Sequence, residues 1–206
     1  MTSDLSLIFK SGSSGAEPTP TRDRILRAGA ELLAGPGLGE VNTNTVARAA
    51  GVGVGTFYTH FEDKFALHRE LMALGLAALQ QALARASEAT RTAVVDEQVR
   101  ATVAAFVDFA RDHPALYRVL FARGHGRPGT GRVGVGFSSR AMENRLRELQ
   151  AAGRLDAELD PAIAARVFTA GQGQILLWWL DAPDPVPRSS LIETLIRLHP
   201  AVACQR

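Results

Sequence analysis

Sulfur is nearly absent from the functional inventory: one cysteine, Cys204, stands in 206 residues, so no intrachain disulfide can form and a reducing, cytoplasmic setting is expected. No uninterrupted apolar run reaches the roughly 18 residues a spanning helix needs, and no secretory leader is visible, so neither secretion nor a membrane partner is expected. Charge of one sign is also scarce. The formal net charge is +2, and between residues 21 and 70 six basic residues face six acidic ones, so electrostatics alone does not announce a nucleic acid. Catalytic constellations are missing as well. The five histidines, at positions 60, 68, 113, 125 and 199, share no metal-ligand spacing, and H-E-x-x-H, G-x-S-x-G and a P-loop lysine do not occur. No catalytic residue, metal or cofactor is therefore expected. Hydrophobic residues make up 46% of the chain, enough for one good core or two small ones.

The most informative segment is Thr43 to Lys64, TNTVARAAGVGVGTFYTHFEDK. A first short helix starts at Asn42 or Thr43, whose side chains accept from the free N–H groups of an opening turn. Val46, Ala47 and Ala50 share one face of it. Gly51 follows where the chain must turn with positive φ. In a second short helix Val54, Phe57 and Phe61 fall at i, i+3 and i+7, which leaves Gly55, Thr56, Thr59 and His60 facing elsewhere. Two helices joined this way form a helix-turn-helix, and the small-residue face at the start of the second suits a DNA major groove. The plain structural alternative is a helical hairpin closed by core aromatics.

The same residues resemble the TetR/AcrR family of bacterial transcriptional regulators. The resemblance rests on an amphipathic helix from Arg22 to Ala34, then Gly37, then Thr43-x-x-Val46-Ala47-x-x-Ala50-Gly51-Val52, then Gly55-Thr56-Phe57-Tyr58-x-His60-Phe61-x-x-Lys64. It covers about a quarter of the chain. Gly53 departs from it, standing where the family usually has Ser or a similar cap; Gly is a few tenths of a kcal/mol poorer there. The resemblance implies an all-α fold, with an N-terminal three-helix helix-turn-helix domain and a C-terminal helical bundle for ligand binding and dimerisation. It implies double-stranded operator DNA as partner, contacted through Thr43, Thr45, Arg48, Val54, Gly55, Thr56, Tyr58, His60 and Lys64. Tyr58, His60 and Lys64 would mainly position the protein rather than read bases. Arg22 and Arg24 are further candidate cations.

Three divisions follow along the chain: a disordered Ser/Gly/Pro arm over residues 1–20, the DNA-binding domain over 21–68 and a regulatory part over 69–206. A helix is expected from Asp63 to about Thr90, roughly 40 Å long if continuous. Further helices are expected over Asp96–Asp112, from Pro114 through Leu120 with Gly124 as its stop, from Phe137 to Ala152, from Pro161 behind an Asp160 cap, and over Ser190–Val202 with an apolar face of Leu191, Leu195 and Leu198. Residues 124–136, GHGRPGTGRVGVG, spell G-x-G-x-x-G at Gly124, Gly126 and Gly129. The stretch before it reads as helix rather than strand, so a surface loop is expected and not a nucleotide site. Six arginines against one aspartate lie between Arg111 and Arg140, either as solvated charge or as an anionic attraction site.

Ala164, Val167, Phe168, Gly171, Ile175, Trp178 and Trp179 form a stripe wider than one intrachain neighbour requires. By the resemblance, the last two long helices build a homodimer interface, with simple core burial as the alternative. The resemblance also places a small-molecule effector in the C-terminal bundle, with Phe106, Phe109, Tyr117, Phe121, Met142, Phe168, Gln172 and Trp178 as possible walls, suited to a hydrophobic or aromatic ligand. The expected function is a repressor released from its operator when the effector shifts the long helix. An activator or ligand-independent regulator of the same fold, or a helical ligand-binding protein without DNA, stays open.

Overall fold

A computed structural model describes residues 20–35, 39–122 and 133–204. Every regular element among them is an α-helix, in keeping with the all-α expectation. The helices fall into two compact units, one within Met1–Leu79 and Asp112–Gly131, the other within Gln80–Arg111 and Arg132–Arg206.

The first unit opens with α1 (Pro20–Ala34), whose proline sits where a missing N–H costs nothing. Of the arm expected over residues 1–20, only Pro20 lies within the described residues. The apolar face of α1 buries Ile25, Leu26, Ala28, Ala30 and Leu33. Then come α2 (Thr43–Ala49), α3 (Val54–His60) and the start of α4 (Lys64–Ala89). The α4 N-terminus is set by Asp63, whose Oδ1 accepts from the Ala66 N–H at 2.6 Å. Helix α6 (Pro114–Phe121) completes the unit and packs on α1. Close approach of α1 and α4 depends on Gly29, since a Cβ built there would stand 2.7 Å from Leu67 Cδ2. Arg22 closes the same seam, 2.5 Å from Glu70 Oε2 and with its guanidinium 5.2 Å from the Phe61 ring centre.

The second unit holds the later turns of α4, then α5 (Val95–Asp112), α7 (Val133–Ala151), α8 (Pro161–Asp181), α9 (Arg188–Leu198) and α10 (Pro200–Ala203). Helices α7 and α8 pack along each other. Contacts of Ser139 with Thr169 and of Glu143 with Arg166 run in opposite order along the two helices, so the pair is antiparallel. Asp160 caps α8 through Oδ1, accepting from Ala162 and Ile163 N–H, as Asp-Pro promises. Arg188 grips Asp108 with two hydrogen bonds of 2.7 and 2.6 Å, and Arg100 pairs with Glu193, so α9 is fastened to α5 at two points.

Two expectations need correction. Helix α7 starts at Val133, so the last four residues of the glycine-rich run are helical rather than loop. Glycine costs a helix about 1 kcal/mol per residue but does not forbid it, and packing overrides so small a propensity. The rest of that run, including Gly124, Gly126 and Gly129, lies outside the described residues. So does the stop expected at Gly124, while α6 itself is capped at Ala122. Finally, Ser190–Val202 is not one helix. Proline at 200 lacks an N–H and drives the preceding residue out of the α region, and His199 accordingly adopts φ −69°, ψ 129°. Leu198, expected on the buried face, is 65% exposed as a result.

Candidate nucleic-acid interface and bundle cavity

Helix α2 is locked at its start by a reciprocal cap. Asn42 Oδ1 accepts from the Thr45 N–H at 2.9 Å, and Thr45 Oγ1 accepts from the Asn42 N–H at 3.2 Å. The Thr45 hydroxyl proton is itself given to the Asn42 carbonyl at 2.7 Å, so this side chain serves the helix end before any ligand. The turn that follows is closed by the Gly51 and Val52 N–H groups, bonded to Arg48 and Ala47 carbonyls, with Gly51 at φ 65°.

Helix α3 then presents two chemically opposite faces. Phe57 is fully buried and Phe61 nearly so, their ring centres 5.7 Å apart. Gly55, Thr56, Tyr58 and Thr59 are exposed, together with Val54. The start of the helix carries no side-chain cap on Gly53, and a Cβ at Gly55 would meet nothing within 4 Å. Uncapped N–H groups beside small residues give an anionic backbone an unobstructed approach.

Of the residues expected to contact DNA, Arg48, Val54, Gly55, Thr56 and Tyr58 are exposed, while Thr43, Thr45, His60 and Lys64 are half-buried. Lys64 Nζ donates to the Val41 carbonyl at 2.8 Å and lies 5.5 Å from the Phe65 ring centre. This anchor fixes the ammonium charge beside the start of α2. Arg22 is corrected: its ion pair with Glu70 and its seat on Phe61 make it a pin between α1 and α4, with a side chain only 12% exposed. Arg24 is exposed. Lys64→Ala is expected to weaken binding to specific and random duplexes alike and to flatten the slope of log K against log salt by about one unit, read by titrations over a salt series. A loss confined to one specific duplex is the contrary result.

The second unit contains a cavity of about 400 Å³. Its wall is mostly aliphatic and aromatic, built from Leu83 of α4, Val99, Val103 and Phe106 of α5, Met142 and Leu146 of α7 and Phe168 of α8. Into this wall are set Ser138, Thr169, Gln172 and His199, all buried. Thr169 Oγ1 donates to the Ala165 carbonyl at 2.7 Å, so the 2.5 Å contact with Ser139 is a bond that Ser139 donates. His199 lies edge-on to Phe168 with ring centres 4.7 Å apart, and its Nδ1 accepts from the Ala201 N–H at 3.2 Å. Burial pushes its imidazole from 6.5 down to about 4, so the ring is neutral at pH 7. At the lining's edge Arg145 donates to Gln98 Oε1 at 2.6 Å and Glu148 Oε2 at 3.0 Å.

Four of the eight residues expected to line such a site, Phe106, Met142, Phe168 and Gln172, do so. The other four are elsewhere. Phe109 is buried outside the lining, Tyr117 and Phe121 stack with ring centres 4.5 Å apart in the first unit, and Trp178 is 53% exposed. Sequence reasoning missed His199, Ser138 and Thr169; the His-Pro pair was the available signal for His199, because it forces the break that seats the ring. Among the described residues no cluster of His, Cys, Asp and Glu is arranged to hold a metal. No helix among them is long and apolar enough to cross a membrane.

Comparison with known proteins gives a consistent outcome. The family described as bacterial regulatory proteins, tetR family, matches residues 25–71, and the tetracyclin repressor-like C-terminal domain matches residues 95–199. No curated protein sequence matches the chain. Among solved structures, the fatty acid degradation regulator FadR from Bacillus halodurans is similar at TM-score 0.71 and 18% identity, over 93% of this chain and 100% of that one. FadR from Bacillus subtilis, in complex with stearoyl-CoA, gives TM-score 0.69 and 18% identity over 87% of this chain and 98% of its own. NalD, the secondary repressor of the MexAB-OprM multidrug efflux pump in Pseudomonas aeruginosa, gives 0.67 and 22%, over 90% and 96%. At these identities the likeness is one of fold.

Proposed function

The chain belongs to the tetR family of bacterial regulatory proteins and is a DNA-binding transcriptional regulator rather than an enzyme; from that premise we propose that it is a homodimeric repressor, released from its operator by an apolar effector held in the cavity. The observation that carries the proposal is that one chain combines an exposed, sterically open recognition helix with a separate apolar cavity containing buried polar groups. Residues 21–68 serve as the DNA-binding domain and residues 69–206 as the regulatory and dimerisation part, in the cytoplasm. On α3, Thr56 and Tyr58 lie nearest base edges and flanking phosphates, supported by Thr43, Thr45, Arg48, Val54, Gly55, His60 and Lys64. Phe106, Met142, Phe168 and Gln172 contact the effector.

Helix α4 carries Lys64 in its first turn and the cavity residues Leu83 and Ser87 in its later ones. An effector that prefers one position of this helix shifts the spacing of the two reading heads, and only that differential affinity can release DNA. The stearoyl-CoA held by Bacillus subtilis FadR and the repressor role of NalD favour this reading over an activator or a ligand-independent regulator.

Dimerisation is supported by the outer face of α8. Ile163, Val167, Ile175 and Trp178 are exposed at 62, 69, 36 and 53%, and Gly171 between them has open space where a Cβ would be. Apolar residues in register along one helix, joined by small ones that admit a second helix, form a self-complementary surface of the kind a two-fold axis uses. Val167→Glu places a carboxylate on that face twice per dimer, at roughly 3–5 kcal/mol for each unpaired buried charge. The variant should sediment as a folded monomer and lose at least a hundredfold in operator affinity; a variant that stays dimeric would remove α8 from the interface.

The function itself is tested by fluorescence anisotropy of the protein against labelled DNA from upstream of its own gene, with random DNA as competitor. Salt-sensitive binding that survives the competitor and falls on adding an apolar compound is the expected result. Binding that no compound relieves, or that random DNA abolishes, would sink the ligand-released repressor.

A further inference from the structure

The chemistry of the cavity wall narrows the ligand, an inference that rests on the effector reading above. Two polar side chains in the wall lack a hydrogen-bond partner among the described residues. Ser138 is 8% exposed, and its Oγ has no hydrogen-bond partner among the described residues. Gln172 is 6% exposed, and no hydrogen bond engages its amide among the described residues. Buried hydroxyls and amides are nearly always bonded, because desolvation without a partner is costly. The enclosed Ser138 hydroxyl and the unbonded Gln172 amide in the wall of one cavity therefore form a polar patch that a molecule inside the cavity can complete. Their neighbour Thr169 is already satisfied, its proton on Ala165 and its lone pair taken by Ser139. The patch thus reduces to one hydroxyl and one amide, which together both donate and accept.

Charge decides the rest. No carboxylate lines the cavity among the described residues, so a cation inside would sit in a low dielectric without a counter-ion. The sole formal cation in the lining is Arg145, whose guanidinium already bonds Gln98 and Glu148 and whose side chain is 45% exposed. It offers a buried anion little, and the neutral His199 ring offers no charge at all. We propose that the cavity takes an uncharged, largely apolar molecule bearing one carbonyl, amide or hydroxyl group, which Ser138 and Gln172 read, and that it rejects both cations and deeply seated anions.

The test uses the full-length protein without DNA. N-phenyl-1-naphthylamine, an uncharged fluorescent dye, reports occupancy, and decanamide, decanoate and decylammonium compete for it below their aggregation limits. Decanamide should displace the dye at least tenfold more tightly than either ion. Gln172→Leu should weaken decanamide about tenfold and leave dye affinity unchanged. Without ligand, the same variant should melt no lower than wild type, because it removes an amide that bonds to nothing else in the wall; a merely structural glutamine would lower the melting temperature. Ser138→Ala should give a smaller loss in the same direction. Decylammonium binding as tightly as decanamide, a Gln172→Leu variant that keeps full decanamide affinity, or no displacement by any probe overturns the assignment. Operator binding is measured separately. Tight decanamide binding that leaves the operator complex intact would sink effector release while the ligand class stands.

Discussion

Phe57→Ala is expected to abolish DNA binding and to remove most of the stability of the helix-turn-helix unit. The ring is fully buried, packed between Phe61 at 5.7 Å and the edge-on ring of Tyr58 at 5.7 Å. Removing such a ring leaves a cavity that neighbours fill only partly, at about 3–5 kcal/mol, against a typical domain stability of roughly 5–15 kcal/mol. Helix α3 has seven residues, too few to hold its shape without packing. Its orientation therefore depends on this one contact more than on any backbone bond. Urea unfolding followed by circular dichroism reads the first effect and anisotropy on operator DNA the second. Tyr58→Phe is the control: Tyr58 is 55% exposed, so its stability should change by less than about 0.5 kcal/mol while DNA affinity falls. Should Phe57→Ala keep operator affinity, α3 is not the reading element.

The burial of Phe57 and Phe61 was legible in the sequence as apolar residues at helical spacing, but the exposure of Tyr58 was not, because i+4 shares a side with i, i+3 and i+7. Residue chemistry exposed the turn at Gly51 and the cap at Asp160, and helical spacing the breadth of the α8 stripe. In the structure that stripe divides, with Phe168 and Trp179 turned inward and Val167, Ile175 and Trp178 outward. Periodicity reports whether a residue is inside. It does not report which empty space the residue borders, and so the cavity was only half legible. Phe109 and Phe106 are three positions apart on α5 and equally buried, yet only Phe106 reaches the cavity. Tyr117 and Phe121 carry the aromatic character expected of a pocket but spend it on each other. The roles of His199 and Ser138 depend on the turn at Pro200 and on the register of α7 against α8, which are tertiary facts. Arg22 shows the same limit from the polar side: residue type suggested DNA, while geometry places it in a half-buried ion pair with Glu70.

His199 should make the bundle sensitive to acid. In the unfolded chain an imidazole titrates near its ordinary value of 6.5, whereas burial holds the folded ring down to about 4. Above pH 6.5 the ring is neutral in both states, and its contribution to stability is fully present. As pH falls through 6.5 the unfolded state takes up a proton that the folded state refuses, so stability drops with pH until about 4. At about 1.4 kcal/mol per unit the loss over that window is roughly 3 kcal/mol. The structural reason is specific: Nδ1 accepts the Ala201 N–H, so a proton on that nitrogen would set two donors against each other beside Phe168. His199→Asn isolates this term, because asparagine retains an acceptor for the first turn of α10 but cannot titrate. Carboxylates add their own slope to both proteins, so the quantity to compare is the difference between their urea midpoints from pH 7.5 to 4. Wild type should lose stability more steeply than the variant between 6.5 and 4, with the two parallel above 6.5. Parallel curves through the whole range would mean that the ring is not held neutral by the fold.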